Sequence, residues 1–308
     1  MDPMQSQPID FHPPSEEAAP YLLPAADVFA GRARRFEHLA CDHSLAEWLR
    51  FLARLSQAQH DALKAIPEFP LPEAQARELA RNHGMPPLNL GERPAVWRDA
   101  LRQMLAALDD ETLPEGARAT LTGLQTADDS RLEKLAATLL EGEISADLAG
   151  ELPFIAAALQ VTYTGMALRL DPASLQKLDA PAVCPCCGSP AVASVVRLGA
   201  AINNLRYLHC SLCNTEWNVP RATCTTCEDD KEIALHELEG TAGKNAGAVR
   251  AETCDACKSY LKIVYQDKDP NVDPVADDLA TLALDMLVDE AGYERSGPNL
   301  LLIGAYSG

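Results

Sequence analysis

The sequence predicts an α+β chain: an all-helical N-terminal domain, then two tandem four-cysteine ribbons, then a C-terminal helix. Three observations carry this. Apolar residues recur at helical spacing up to about residue 180; beyond it the pattern changes to short β-type runs; and nine of the ten cysteines fall between Cys184 and Cys257, eight of them as C-x-x-C pairs. A length of 308 residues is enough for two or three units at roughly 100 to 200 residues per domain. A 47% hydrophobic share is enough to give them cores.

The elements follow in chain order. Residues 1–30 form a Pro-rich arm, because six of the 22 prolines fall within residues 1–26 and little hydrophobic periodicity accompanies them. Such a segment lies on a surface or becomes ordered on a partner. Residues 31–180 are the helical domain, with five to eight helices. Ser44-Leu45-Ala46-Glu47 reads as a capping box, in which the Ser44 hydroxyl and Glu47 carboxylate satisfy free backbone donors. Leu45, Trp48, Leu49, Leu52, Leu55, Ala62, Leu63 and Ile66 then make one stripe, stopped by Pro67. Similar stripes run through Val96, Leu101, Leu105 and Leu108, and through Leu132, Leu135, Leu139 and Leu140. The most apolar window, Leu152 to Leu168, includes Pro153, Gln160, Thr162, Tyr163 and Thr164 and falls short of the roughly 20 apolar residues a membrane span needs. It reads as a buried core helix, so no membrane insertion is expected. The histidines and acids of this domain show no ligand-like pairing, which leaves it as a scaffold.

After Leu178-Asp179-Ala180-Pro181 come the β-type runs Val192 to Leu198, Leu205 to Leu208 and Tyr260 to Tyr265. The first ribbon spans 181–222, the second 223–270. The C-terminal helix and tail occupy 271–308: Asp273 is its N-cap, Pro274 its first residue, and Val275, Leu279, Leu282, Met286 and Leu287 the face that packs back on the fold.

The cysteine pairs are Cys184/Cys187, Cys210/Cys213, Cys224/Cys227 and Cys254/Cys257. A two-residue spacer folds into a knuckle with both sulfurs facing one ion, and two knuckles complete a tetrahedron of soft ligands. Gaps of 22 residues (Cys187 to Cys210) and 26 (Cys227 to Cys254) suit β-hairpins, whereas only 10 separate Cys213 from Cys224. Shifting the first half by 40 to 44 residues superposes the pairs, so the region is a tandem repeat with Trp217-Asn218-Val219 and Tyr260-Leu261-Lys262-Ile263 in corresponding places. The metal sites are then Cys184/Cys187/Cys210/Cys213 and Cys224/Cys227/Cys254/Cys257, with a cross-braced pairing of first and third knuckles as the competitor. Each unit is near the size below which a chain cannot hold a fold alone, so metal carries much of the folding free energy and loss of one ligand unfolds its unit. Disulfides are the competing chemistry, disfavoured in a reducing compartment.

Spacing alone leaves the metal as zinc or iron, with zinc the default on affinity order. Four cysteines leave no position for water or substrate, which argues for structural or electron-carrying sites rather than metal-activated hydrolysis. Other residues near these motifs draw blander readings. Cys186 is a solvated spacer or an exposed thiol; Cys41 is buried core; His209 has an outer-sphere or surface role; and Glu228-Asp229-Asp230 is a solvated turn. The first 31 residues contain no Lys or Arg, so the charged start of a secretory signal is missing and a cytoplasmic protein is expected. Arg34-Arg35 is followed by residues too polar for a twin-arginine signal and reads as surface charge.

Cys184-Pro-Cys-Cys187-Gly188, Leu205-Arg-Tyr-Leu-His-Cys210-x-x-Cys213-x-Thr215-Glu-Trp217, Cys224-x-x-Cys227, and Cys254-x-x-Cys257 with Tyr260-Leu-Lys and Asp277-Asp-Leu-Ala280 resemble the FdhE family of formate dehydrogenase accessory proteins. The resemblance runs from about Cys184 to Asp285. It implies a cytoplasmic, non-catalytic maturation factor, acting on the catalytic subunit of formate dehydrogenase before export. It also implies rubredoxin-like iron sites, with the eight paired cysteines as ligands; the pattern does not require Cys186.

Two other readings stay open beside a client-docking ribbon. A rubredoxin-like electron carrier would show reversible one-electron reduction, and a silent voltammogram would remove it. A zinc-ribbon nucleic-acid module is opposed by charge. The whole chain has 26 basic and 45 acidic residues, net -19, and residues 181–270 hold nine Lys or Arg against eleven Asp or Glu. That leaves no basic face for phosphates.

Overall fold

A segment that is apolar on every side has no face to give to water and must run through a core. The window from Leu152 does so in the computed structural model, which describes residues 19–89, 93–108, 113–142, 144–198, 204–238 and 247–303. The chain starts with a two-residue strand, β1 (Tyr21–Leu22), followed by α1 (Val28–Leu39), α2 (Ala46–Ala65), α3 (Ala74–Asn82), α4 (Val96–Leu108), α5 (Glu115–Thr126), α6 (Asp129–Glu141) and α7 (Leu152–Ala167). Every residue of α7 except Pro153 is buried, and α2, α4 and α6 pack around it. The stripes on those helices supply the facing surfaces through Leu49, Leu52, Leu55, Leu101, Leu105, Leu132 and Leu135. Burying each such side chain contributes about 1.5–3 kcal/mol. Leu45 and Leu140, at the margins of their stripes, stay partly exposed.

The helix start at Ser44 differs from expectation. Leu45 is the N-cap of α2, and neither Ser44 nor Glu47 caps it. His43 takes that place. Its Nε2 reaches the Ala280 carbonyl at 2.9 Å, and its Nδ1 accepts from the Leu45 N–H at 3.0 Å. A tertiary anchor on the ring thus displaces the local capping box.

Beyond α7 the strands are β2 (Ala191–Arg197), β3 (Leu205–Cys210), β4 (Glu216–Asn218), β5 (Ile233–His236), β6 (Val249–Cys254) and β7 (Ser259–Tyr265). β2-β3-β4 and β5-β6-β7 are each antiparallel meanders, as a tandem repeat requires. The two units do not stand apart, however. β2 pairs in parallel with β7 through Ser194, Val195 and Val196, and β1 pairs with β4. The result is one mixed sheet in the order β1-β4-β3-β2-β7-β6-β5. Pairing the first strand of one unit with the last strand of the other repeats the unit side by side. It also removes two open edges that would otherwise invite association. The N-terminal arm therefore contributes a strand at Tyr21–Leu22; residues 1–18 lie outside the described residues.

The expected C-terminal helix is two helices, α8 (Pro274–Leu279) and α9 (Leu282–Glu290), followed by a short strand, β8 (Glu294–Arg295), beside β7. Asp273 caps α8 as expected, accepting from the N–H groups of Val275 and Ala276 at 3.0 and 2.8 Å. The break comes from Lys262. Its buried ammonium donates to the carbonyls of Asp278 and Thr281 at 2.8 and 3.0 Å, satisfying acceptors that a continuing helix would use. The apolar face shifts accordingly: Leu284 and Val288 are buried and Met286 is exposed.

Candidate metal centres

Each cysteine pair folds into the same knuckle, and the backbone shows why two spacer residues suffice. The residue after the second cysteine has positive φ in all four: Gly188 (80°), Asn214 (57°), Glu228 (63°) and Lys258 (57°). This left-handed step turns the chain back on itself, so that Gly188, Glu228 and Lys258 donate to the carbonyls of Cys184, Cys224 and Cys254 at 2.8, 3.0 and 2.8 Å. Only the first knuckle uses glycine, where a Cβ would also press on Asn89 Nδ2 at 2.9 Å.

Among the described residues, two groups of four thiols converge: Cys184, Cys187, Cys210 and Cys213, and Cys224, Cys227, Cys254 and Cys257. Within each group the sulfurs lie within 4.8 Å of one another, so each group could hold a metal ion. The closest sulfurs are 3.5 Å (Cys184 to Cys213) and 3.4 Å (Cys187 to Cys210) in the first, and 3.7 Å (Cys224 to Cys257 and Cys227 to Cys254) in the second. A tetrahedron with metal–sulfur bonds near 2.3 Å has edges of about 3.8 Å. A disulfide needs about 2.05 Å, and none is formed among these residues.

Backbone donors face the sulfurs. Cys186 N–H points at Cys184 Sγ (3.4 Å), Leu212 and Cys213 N–H at Cys210 Sγ (3.3 Å each), and Thr226 N–H at Cys224 Sγ (3.4 Å). The Ser259 hydroxyl joins them, with Oγ 3.0 Å from Cys257 Sγ, whereas the Cys213 thiol itself donates to Thr215 Oγ1 at 3.2 Å. Donors of this kind spread thiolate charge. Burial pushes the Cys184 and Cys210 thiols well up. Cys213, against the same burial, is held well below the ordinary thiol range by hydrogen bonds from Cys184, Cys186, Cys187 and Cys210. Four sulfurs at such separations can all ionise only around a cation.

The two groups sit in different surroundings. The first belongs to the main hydrophobic core together with α7. Gln160 on α7 donates to the Ser211 carbonyl at 2.7 Å, Asn214 Nδ2 to Thr164 Oγ1 at 2.8 Å, and Leu88 N–H to the Cys186 carbonyl at 3.0 Å. In the second group Cys227 and Cys257 are exposed. The acidic turn beside it is solvated as expected: the Asp229 carboxylate accepts from the N–H groups of Lys231 and Glu232.

Three side chains depart from their sequence readings. Cys186 is fully buried, neither a solvated spacer nor an exposed thiol, because the Leu88 segment packs over its knuckle. Hydrogen bonding to Cys213 and burial push its thiol well up. Cys41 is exposed rather than core, since α1 ends at Leu39 and the chain turns outward through Asp42 at φ 59°. Arg34 is exposed, as a surface charge should be, but Arg35 is buried. Arg35 donates to Asp269 at 2.6 Å and to Asp277 at 2.5 and 2.9 Å. One turn earlier Arg32 donates to Asp273 at 3.1 Å and to Asn214 Oδ1 at 2.7 Å. These arginines clamp the helical domain to α8 and to the second knuckle. Sequence reasoning missed them; the available signal was their helical spacing on one face of α1 with Phe29, Ala33 and Phe36.

His209 is buried beside the first group but touches no sulfur. Its Nδ1 lies 2.8 Å from Glu216 Oε1 and its Nε2 3.1 Å from Asn214 Oδ1. Arg197 Nε donates to Glu216 Oε2 at 2.7 Å. Although burial favours the acid form of Glu216, His209 and Arg197 bring it down to about 2. A depressed carboxylate stabilises the fold above its unfolded value and loses that contribution as pH falls through the folded one. Wild type should therefore exceed Glu216→Gln in stability by a few kcal/mol near pH 7. The gap in urea midpoints should close between about pH 4.5 and 2; a gap independent of pH would contradict this role.

Fold and site together define a helical scaffold bearing one sheet with two closed four-thiol centres. Comparison with known proteins places the chain within that class. Family models described as FdhE N-terminal, FdhE central domain and FdhE C-terminal domain match residues 18–180, 183–221 and 222–302. An FdhE homologue from Pseudomonas putida is 41% identical over 288 residues, 92% of this chain and 90% of that one. The protein FdhE of Salmonella arizonae is 38% identical over 288 residues, 92% and 91% of the two chains. The crystal structure of FdhE from Pseudomonas aeruginosa superposes with a TM-score of 0.84 at 37% identity, covering 94% of this chain and 99% of that one. The chain belongs to the FdhE family.

Proposed function

We propose that this chain is a cytoplasmic, non-catalytic accessory factor for formate dehydrogenase, binding the enzyme's catalytic subunit through its double ribbon. Cys184, Cys187, Cys210 and Cys213 hold one ion, and Cys224, Cys227, Cys254 and Cys257 hold the other. The observation that carries this reading is the pair of four-thiol groups built on one continuous sheet in a member of the FdhE family. Iron in rubredoxin-like coordination is the proposed metal, with zinc as the alternative; when bound, either would cross-link two knuckles. All four sulfurs of a group face inward on one point, which suits a rigid binding element better than a site needing an open coordination position. Among the described residues no helix is long and apolar enough to cross a membrane.

Element analysis of anaerobically purified protein should find two metal equivalents per chain, and iron would give the visible absorption of ferric tetrathiolate. A colourless protein with two zinc equivalents would transfer the assignment to zinc. In pull-downs, wild type should capture the formate dehydrogenase catalytic subunit and a Cys224→Ser/Cys227→Ser variant should lose most of that capture. Equal capture by the two would count against docking through the ribbon.

A further inference from the structure

We propose that the two centres hold their ions with different permanence: the first seals its ion inside the core, and the second exchanges its ion with chelating ligands from solvent. This rests on the reading that both groups are metal centres and goes beyond it by separating their roles.

Coordination alone does not distinguish them, because both have four cysteines, the same knuckle and similar sulfur separations. What differs is access. Relative exposure is 0% at Cys184, Cys210 and Cys213 and 4% at Cys187. All four lie in the main hydrophobic core with residues of α2, α4 and α7. Around them Gln160, Thr164 and Leu88 are bonded to the knuckle backbone or to Asn214, and Arg32 is bonded to Asn214. A ligand reaching these sulfurs must first part the helical domain from the sheet, an opening whose cost approaches that of global unfolding.

Among the described residues the second centre has no such cover. Cys224 and Cys254 are buried against the sheet, but Cys227 and Cys257 are exposed, as are the spacer residues Thr226, Asp255 and Ala256. None of these four cysteines belongs to a hydrophobic cluster among the described residues. Cys227 and Cys257 are therefore the sulfurs that an incoming soft ligand, a thiol or an imidazole, can displace. As the new ligand bonds, one cysteine sulfur leaves. The leaving thiolate takes up the proton that an incoming thiol gives up, and no electron is transferred.

The test uses the full chain carrying two zinc equivalents, mixed with excess pyridylazo chelator and sampled over time into N-ethylmaleimide for mass spectrometry. One equivalent should leave at least about tenfold faster than the other. Modification should appear first at Cys224, Cys227, Cys254 and Cys257, while Cys184, Cys187, Cys210 and Cys213 stay protected; exposed Cys41 should react at once in every sample. Two equivalents leaving at one rate, or modification starting in the first group, would overturn the inference. Fewer than two equivalents bound at the outset would sink the metal reading itself, a separate and recognisable result.

Discussion

Replacing Cys210 with serine is expected to cost the chain its fold, not merely its first ribbon. Treated as an isolated unit, the ribbon would unfold by itself when a ligand is lost. Its sulfurs, however, are continuous with the core that holds α2, α4 and α7. On the proposed metal reading, a structural four-ligand ion contributes on the order of 10 kcal/mol of apparent folding free energy, while a whole protein is stable by about 5–15 kcal/mol. Cys210→Ser should therefore appear as insoluble or globally protease-sensitive protein. Cys227→Ser, at the exposed centre, should keep the helical domain protected from proteolysis and lose order only around β5–β7. Equal protection of the helical domain in both variants would show that the first centre does not support the core.

Arg35→Ala should be the most damaging change outside the cysteines. The guanidinium is buried between Asp269 and Asp277, which are 6% and 2% exposed, and its removal leaves two carboxylates facing each other without a cation. Breaking one side of a buried pair costs about 3–5 kcal/mol, far more than the pair itself adds over an apolar replacement. Arg34→Ala, one residue away and exposed, should stay within about 0.5 kcal/mol of wild type. Urea unfolding of the two variants side by side checks this, and equal midpoints would refute the clamp. The loss should be seen in both the helical domain and the sheet, because Arg35 on α1 joins α8, which itself packs on β2 and β7.

A second buried cluster supports the same junction. Lys262 pairs with Asp278 and Asp285, and Arg295 pairs with both, so two cations and two anions close on one another beneath α8 and α9. Asp277 and Asp278 thus face opposite partners, one tied to the helical domain and the other to the sheet. Through them the short Asp-Asp-Leu-Ala motif ties the helical domain to the sheet.

Much of this was legible from residues alone. The C-x-x-C spacing, the two hairpin-length gaps and the shift that superposes the halves determined the knuckles and the repeat, because each depends on a few neighbouring residues and on sulfur chemistry. The apolar window from Leu152 likewise determined a core helix, since no aqueous surface could accept it. The arrangement of the pieces was decided only in three dimensions. The β2–β7 pairing that fuses the ribbons, the burial of Cys186 and the exposure of Cys41, the conversion of Arg35 from surface charge to buried clamp, and the sealing of one thiol group beside an open one all depend on what a distant segment lays over a residue. Periodicity reports which face of an element is apolar; it carries no record of which remote element will cover that face, and so none of the dielectric in which a charge or a sulfur will finally sit.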